Sequence, residues 1–197
     1  MVIKRLDHRG DIWSLFKSLG NGGTPSFLLD SSNYHHELGR FSFMGWKPRG
    51  VLRSRGRLIE YWENNQSHCW EGDPLAALEK VRLEQSARLG SGDSPFPFNA
   101  GLVGYISYDM GKQIEKLNRR CHDDLQMYDQ YWGVYDGIVA ADHLKNELWI
   151  AAYDYHQTQA IEEELYAGLE NTRMENDSPL WMGDINSNFR HCIKLLI

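Results

Sequence analysis

The sequence predicts an α+β fold, with antiparallel sheets flanked by helices. Helical segments alternate along the chain with pairs of strand-like segments rather than with single strands, an order typical of α+β proteins and not of doubly wound parallel sheets. The 197 residues are 42% hydrophobic and 12% aromatic, and a chain of that size and composition can bury a substantial core. A globally disordered protein is therefore excluded.

Three helices are predicted from apolar residues that recur at helical spacing, over residues 11–19, 73–89 and 157–171. The second is the most clearly delimited, because Asp73 is a favourable N-cap and Pro74 occupies a position where a missing N–H costs nothing. The apolar stripe of this helix is predicted to consist of Leu75, Leu78, Val81 and Leu89. In the third helix the predicted stripe is Ile161, Leu165 and Leu169.

Strand-like segments, rich in aromatic and β-branched residues or alternating in polarity, fill most of the remaining chain. They cover residues 26–29, 41–46, 51–54, 58–62, 100–108, 131–141 and 147–153. Gly56 and the polar turn at 142–146 are each predicted to join two of them into a hairpin. Gly101 and Gly104 are not followed by the Gly-Lys-Ser/Thr ending of a phosphate loop, so close backbone packing in a buried strand is the expected reason for both.

Composition and charge limit the partners and the compartment. The chain has 27 acidic and 21 basic side chains, a formal charge of −6 and a pI near 5.7, which argues against binding to nucleic acid or to an anionic membrane. It contains no run of about 18 apolar residues, and its first ten residues are charged rather than signal-like. Cys69, Cys121 and Cys192 are odd in number and widely spaced, so a reducing cytoplasm is the expected location.

No motif in the sequence predicts a catalytic centre. His35, His36 and Glu37 are adjacent and lack the spacing of a metal site, so a solvated loop is the simpler interpretation. The three glutamates at 162–164 are interpreted as a solvated helix face. No glycine-flanked elbow presents a serine or cysteine nucleophile.

A polar interruption after the first predicted strand is the best candidate for a binding site. Asp30 and Ser31 follow an apolar strand directly, at a place where small ligands are commonly held. Asp30 would suit an ammonium group, Ser31 could donate to a carboxylate, and Arg40 could bind a carboxylate as well. An amino acid is a sensible ligand for that set. The alternative, an Asp or Ser turn that satisfies loop backbone, stays open.

Three segments in order then resemble a known family. They are Leu28-Leu29-Asp30-Ser31, Gly39-Arg40-Phe41-Ser42-Phe43-Met44-Gly45 and Phe98-Asn99-Ala100-Gly101-Leu102-Val103-Gly104-Tyr105-Ile106-Ser107-Tyr108-Asp109. They are similar to the N-terminal region of component I of the chorismate-aminating synthases, namely anthranilate synthase and aminodeoxychorismate synthase. The resemblance extends over about residues 10 to 190.

Two features of the resemblance favour the aminodeoxychorismate branch, which leads to para-aminobenzoate and folate. The segment Tyr108-Asp109-Met110-Gly111-Lys112 resembles the Tyr-Asp-Leu-Gly-Arg of that branch, where anthranilate synthases usually carry Val-Arg. Asp30 stands where anthranilate synthases carry the glutamate of their Leu-Leu-Glu-Ser motif for tryptophan inhibition. Anthranilate synthase component I is kept as the alternative.

The resemblance also implies a fold, a ligand and a partner. The fold would be two orthogonally packed antiparallel sheets with flanking helices, and a glutamine amidotransferase subunit would supply ammonia. A tryptophan pocket is implied around Leu29, Asp30, Ser31, Leu38, Gly39, Arg40 and Phe41. Because an aspartate replaces the family glutamate at position 30, its reach is one methylene shorter.

The family pattern places catalysis outside this chain. Residues 1–180 are predicted to form the N-terminal domain, and residues 181–197, with Ser187-Asn188-Phe189, the junction towards a C-terminal catalytic region. Chorismate and Mg²⁺ would bind in that region, so no catalytic residue, metal ligand or cofactor is expected within the 197 residues. A stand-alone tryptophan-binding module or an amidotransferase-docking module is the remaining alternative.

Overall fold

The computed structural model describes residues 1–7, 11–19, 24–31, 39–89, 94–115, 126–176 and 192–196. The chain forms two units that are each discontinuous in sequence. Unit 1 comprises Met1–Pro48, Ser91–Ala100 and Asp136–Ile197, and unit 2 comprises Arg49–Gly90 and Gly101–Tyr135. Each unit contains one sheet with its own helices, which confirms the predicted α+β class.

Unit 1 is built on a six-stranded sheet. Its strands are β1 (Val2–Leu6), β2 (Ser26–Asp30), β3 (Phe41–Trp46), β9 (Gly137–Asp142), β10 (Glu147–Ala152) and β11 (Cys192–Leu196), in the order β1-β10-β9-β3-β2-β11. Neighbouring strands are antiparallel except for β11, which runs parallel to β2. The predicted turn at 142–146 joins β9 to β10.

Two helices pack on one face of this sheet, α1 (Ile12–Ser18) and α4 (Tyr155–Asn176). Both were predicted, and Asp11 caps α1 by accepting the Ser14 N–H at 2.9 Å. Apolar side chains from the strands and both helices are buried together: Leu6, Ile12, Leu15, Leu28, Met44, Val139, Ala141, Leu148, Ile150, Ala152 and Leu165. Ile161 and Leu169 pack against this core as the helical spacing predicted.

Aromatic side chains from alternate positions of the same strands contact one another in an aromatic cluster. Side chains alternate between the two faces of a strand, so Phe27 and Phe43 point away from Leu28 and Met44. The segment 94–100 adds Phe96 and Phe98, whose rings lie 5.6 Å from Phe41 and 5.8 Å from Phe43. The cluster consists of Phe27, Phe41, Phe43, Phe96, Phe98 and Trp149.

Unit 2 is built on a five-stranded antiparallel sheet. Its strands are β4 (Gly50–Arg55), β5 (Leu58–Glu63), β6 (Gln66–Glu71), β7 (Gly101–Ile106) and β8 (Gln130–Tyr135), in the order β6-β5-β4-β8-β7. The hairpin predicted at Gly56 joins β4 to β5. A short 3₁₀ helix (Tyr108–Met110) and α3 (Gly111–Ile114) follow β7.

Helix α2 (Pro74–Leu89) covers unit 2's sheet. Asp73 caps it as predicted, accepting the N–H groups of Leu75 at 2.8 Å and Ala76 at 3.2 Å. The buried face differs from the predicted leucine stripe. It consists of Pro74, Ala77, Val81 and Gln85, whereas Leu75, Leu78 and Leu89 are half-buried at its margins.

The predicted strand at 131–141 is wrong as a single element. It is two strands, β8 in one sheet and β9 in the other, separated at Asp136. The Asp136 carbonyl accepts the Tyr153 N–H at 2.8 Å, and its carboxylate accepts a hydrogen bond from the Gln157 side chain at 3.0 Å. A buried polar residue within an apolar run therefore marks where the chain leaves one sheet for the next.

The two glycines of β7 have different structural reasons. A Cβ on Gly104 would lie 1.9 Å from the Tyr131 carbonyl oxygen, so the expectation of close backbone packing is correct there. It is wrong for Gly101, around which nothing lies within 4 Å of such a Cβ. Gly101 instead has a φ of +125°, which other residues rarely adopt.

Among the residues that the structure describes, no helix is both long and apolar enough to span a membrane.

Candidate functional site

The ends of β2 and β3 bring the sequence-predicted site residues together. β2 and β3 are antiparallel neighbours, with Leu29 opposite Phe43. Ser31 follows β2 directly, and its Oγ donates to the Phe41 carbonyl at 2.7 Å. Its backbone N–H donates to Ser42 Oγ at 3.0 Å. The Ser31 hydroxyl therefore links the ends of the two strands. This is the alternative left open above, in which the serine satisfies a backbone group.

Asp30 is linked through a buried serine to a histidine. Ser42 Oγ lies 3.0 Å from Asp30 Oδ1 and 2.7 Å from His143 Nε2, and Ser42 is fully buried. A hydroxyl has one proton to donate. The carboxylate of Asp30 can only accept, so the Ser42 hydroxyl donates its proton to Asp30. Ser42 must then accept from the imidazole, which places a proton on His143 Nε2. The direction of the chain is therefore from His143 to Ser42 to Asp30.

Arg40 is held by a carboxylate from β9. Its Nε donates to Asp142 Oδ1 at 3.1 Å and its Nη2 to Oδ2 at 2.6 Å. Asp142 Oδ1 also accepts the N–H groups of Leu144 and Lys145, which orders the β9–β10 turn. Burial raises the pKa of Asp142, but the hydrogen bonds from Arg40 and from this turn outweigh it and leave the pKa below its ordinary value.

The guanidinium of Arg40 connects this polar group to the aromatic cluster. Its Cζ lies 4.7 Å from the centre of the Phe41 ring, a distance typical of a cation–π contact. The Phe41 ring is 6.1 Å from that of Phe43. Within the described part of the chain, the side-chain hydrogen bonds of Arg40 go to Asp142 and use Nε and Nη2 rather than Nη1.

We call Asp30, Ser31, Arg40, Ser42, Asp142 and His143 the strand-end cluster. Of the seven residues predicted for the pocket, Leu29, Asp30, Ser31, Gly39, Arg40 and Phe41 lie at this edge of the sheet, and Leu38 lies outside the described residues. The site prediction did not include Ser42, Asp142 or His143. The available signals were a serine inside an apolar strand and an Asp-His pair at a turn.

Burial governs the charge of His143. It lowers the pKa of this imidazole below the ordinary 6.5, while the negative charges of Asp30 and Asp142 act in the opposite direction. Asp142 is already neutralised by Arg40. At neutral pH the cluster therefore contains a neutral imidazole beside the carboxylate of Asp30.

Two of the three glutamates at 162–164 make structural contacts, whereas Glu163 is exposed as predicted. Glu162 pairs with Lys4 of β1 at 2.6 Å, and Glu164 accepts hydrogen bonds from Trp46 Nε1 at 2.7 Å and Lys47 Nζ at 2.8 Å. The segment His35-His36-Glu37 lies outside the described residues. Among those that are described, no three His, Cys, Asp or Glu side chains are grouped to hold a metal ion.

A separate cavity of about 590 Å³ lies on unit 2's sheet. Its lining residues are Val51, Arg53, Glu60, Tyr61, Trp62, Ser67, His68, Cys69 and Tyr131. The Arg53 guanidinium is occupied there, because it pairs with Glu60 and lies 4.6 Å from the Tyr128 ring centre. Arg53 is thus paired with a carboxylate and lies over an aromatic ring, as Arg40 does with Asp142 and Phe41.

Fold and site together define an α+β protein that presents a polar cluster at the end of a sheet, next to an aromatic face. The family model of the chorismate binding enzymes matches residues 24–190. The chain belongs to that family.

Individual relatives agree with this assignment. The chain is 30% identical over 134 residues to aminodeoxychorismate synthase component 1 of Bacillus subtilis, covering 64% of this chain and 27% of that protein. It is 30% identical over 153 residues to anthranilate synthase component 1 of Aquifex aeolicus, covering 77% of this chain and 30% of that protein. The chain thus spans less than a third of the length of these curated relatives.

A solved structure shares the fold. The crystal structure of anthranilate synthase component I from Streptococcus pneumoniae superimposes with a TM-score of 0.50 and 24% sequence identity. The match covers 72% of this chain and 31% of the other. The sequence resemblance to component I of these synthases is therefore confirmed by family, relatives and fold.

Proposed function

We propose that this chain is the N-terminal part of an aminodeoxychorismate synthase component 1, which aminates chorismate to 4-amino-4-deoxychorismate. The observation that carries the proposal is the family membership of residues 24–190. The segment Tyr108–Lys112 and Asp30 favour this branch over anthranilate synthase. Relatives from both branches match at similar identity, so the branch rests on those positions.

The second part of the proposal concerns where chorismate is bound and aminated, and it rests on the family resemblance. The chain spans 30% or less of the two relatives described above, and chorismate and Mg²⁺ would bind in their C-terminal catalytic region. Ammonia would come from a glutamine amidotransferase subunit. Among the described residues, no three His, Cys, Asp or Glu side chains are grouped to hold a metal ion, and we assign no step of the reaction to these residues.

The branch is tested by disrupting the gene in its own host. An aminodeoxychorismate role predicts that growth is restored by para-aminobenzoate and not by tryptophan. Restoration by tryptophan alone would identify the anthranilate branch instead. A matched disruption of the host's other chorismate-aminating gene shows that each supplement works.

The strand-end cluster is proposed as a binding site for an amino acid with an aromatic side chain, of which tryptophan is the first to test. Asp30 would bind the ammonium group, and Nη1 of Arg40 the carboxylate. The half-buried ring of Phe41 lies beneath the Arg40 guanidinium and would contact the side chain of the ligand. The polar groups are therefore spaced along one edge with an aromatic surface beside them.

This site is tested by measuring thermal stability while titrating tryptophan. A ligand at 100 times its dissociation constant stabilises a protein by about 2.7 kcal/mol. Asp30→Asn should weaken binding, whereas Asp7→Asn, which removes an exposed carboxylate after β1, should not. No stabilisation at millimolar tryptophan would contradict the site. Binding of an amidotransferase subunit without any response to tryptophan would favour a docking module.

A further inference from the structure

We propose that His143 and Ser42 are positioning residues for Asp30 and couple amino-acid binding at the strand-end cluster to the protonation of His143. The inference rests on the proposed amino-acid site and specifies how that site is regulated. A ligand ammonium at Asp30 and a proton on His143 would place two positive charges around one carboxylate. Binding of the ammonium group and binding of the proton therefore weaken each other, and ligand affinity should fall as the imidazole becomes charged.

The geometry that supports the coupling is a short, directed hydrogen-bond chain. His143 Nε2 lies 2.7 Å from Ser42 Oγ, which lies 3.0 Å from Asp30 Oδ1. Ser42 is fully buried and also accepts the Ser31 N–H at 3.0 Å. Its hydroxyl therefore has one orientation that satisfies all three neighbours. That orientation fixes one oxygen of the Asp30 carboxylate.

The backbone around the chain holds these groups in place. The backbone N–H of His143 donates to the Arg40 carbonyl at 2.9 Å, so the backbone of His143 is held beside the residue that precedes β3, the strand of Ser42. Among the described residues, the carboxylates of Asp30 on β2 and Asp142 on β9 act on the charge of the imidazole, and Arg40 pairs with Asp142. Arg40 and Asp142 neutralise each other, which leaves Asp30 as the charge that a protonated His143 would act on.

The reciprocal effect follows by linkage. Binding of an ammonium group next to Asp30 should lower the pKa of His143 further, so that the protein releases a proton when it binds near that pKa. Burial already lowers this pKa below 6.5. The response should therefore lie on the acid side of neutrality.

The test measures tryptophan affinity by calorimetry from about pH 8 to about pH 5, a range in which histidine is the side chain that ordinarily changes charge. The wild-type chain should bind about fivefold or more weakly at the acid end. His143→Gln keeps an N–H donor for Ser42 but takes up no proton, and it should bind with nearly constant affinity. His156→Gln, at an exposed position on α4, is the matched control and should retain the wild-type dependence.

A second measurement does not depend on any substitution. The pKa of His143, followed by NMR of the imidazole protons, should fall when saturating tryptophan is added. Affinity that is independent of pH, or equally dependent on pH in His143→Gln, would overturn the coupling and leave the binding site intact. Absence of tryptophan binding at every pH would overturn the site and the coupling together.

Discussion

The guanidinium of Arg40 and the carboxylate of Asp142 form two hydrogen bonds although the residues are 102 positions apart in sequence. The pair joins the start of β3 to the end of β9. Asp142 is 4% exposed and Arg40 is 30% exposed, so the acid is enclosed and the base reaches the surface. One carboxylate therefore orders the β9–β10 turn and orients the arginine of the candidate site.

Asp142→Asn should destabilise the chain by about 1–3 kcal/mol, because a buried acceptor loses its charge while four N–H donors still face it. The effect is measured as a lower urea midpoint. Glu79→Gln is the matched control, since Glu79 forms a comparable ion pair with Arg82 on the exposed face of α2. That variant should leave the midpoint unchanged. Equal effects of both substitutions would show that burial of Asp142 is unimportant.

Acid should destabilise the wild-type chain in part through His143. The folded pKa lies below the ordinary value of 6.5, so the unfolded chain binds the proton more tightly. The contribution of neutral His143 is fully present above that value and is lost as the pH falls from 6.5 through the folded pKa. In His143→Gln the free energy of unfolding should fall less over this interval. An unchanged slope would contradict the assignment.

Gly104→Ala should be more damaging than Gly101→Ala. The new methyl group at 104 would overlap the Tyr131 carbonyl oxygen, and backbone cannot move aside as a side chain can. We expect a loss above about 2 kcal/mol. At 101 the space is open and only the unfavourable φ opposes alanine, a cost of about 1–2 kcal/mol. Chemical denaturation of both variants decides the order, and the reverse order would refute it.

Leu165→Ala should test the contact of α4 with its sheet. Leu165 is 2% exposed within unit 1's core, so truncation should cost about 2–5 kcal/mol. Leu83 on α2 is 53% exposed, and Leu83→Ala should cost less than about 0.5 kcal/mol. Similar unfolding midpoints for the two variants would mean that α4 does not pack as described.

The helices α1, α2 and α4 were predictable from the sequence because their information is local, whereas the short α3 was not predicted. The spacing of Ile161, Leu165 and Leu169 indicates α4, and Asp11 and Asp73 indicate where α1 and α2 begin. Strands without apolar alternation were missed. β6 is exposed at all six positions, so only its pairing with β5 defines it. β1 carries Lys4, which pairs with Glu162, and that partner is distant in sequence.

Some residues of the candidate site were predictable from the sequence and their partners were not, because only local patterns can be recognised there. Asp30, Ser31 and Arg40 stand out locally as polar residues at strand ends. Their partners depend on the register that places β3 beside β9, where Ser42 is opposite Ala141. No local pattern reveals that register. Ser42 is therefore recognisable as the link between Asp30 and His143 only in the folded chain.

The division of the chain between two sheets has a consequence for its synthesis. Unit 2's sheet has all its strands once Tyr135 has been made, whereas β1 pairs with β10, which ends at Ala152. A chain emerging from the ribosome can therefore close its second sheet before its first. β3 likewise pairs with β9, which is translated later. Asp30, Ser31, Arg40 and Ser42 are thus translated about 100 residues before Asp142 and His143, the partners that complete the candidate site.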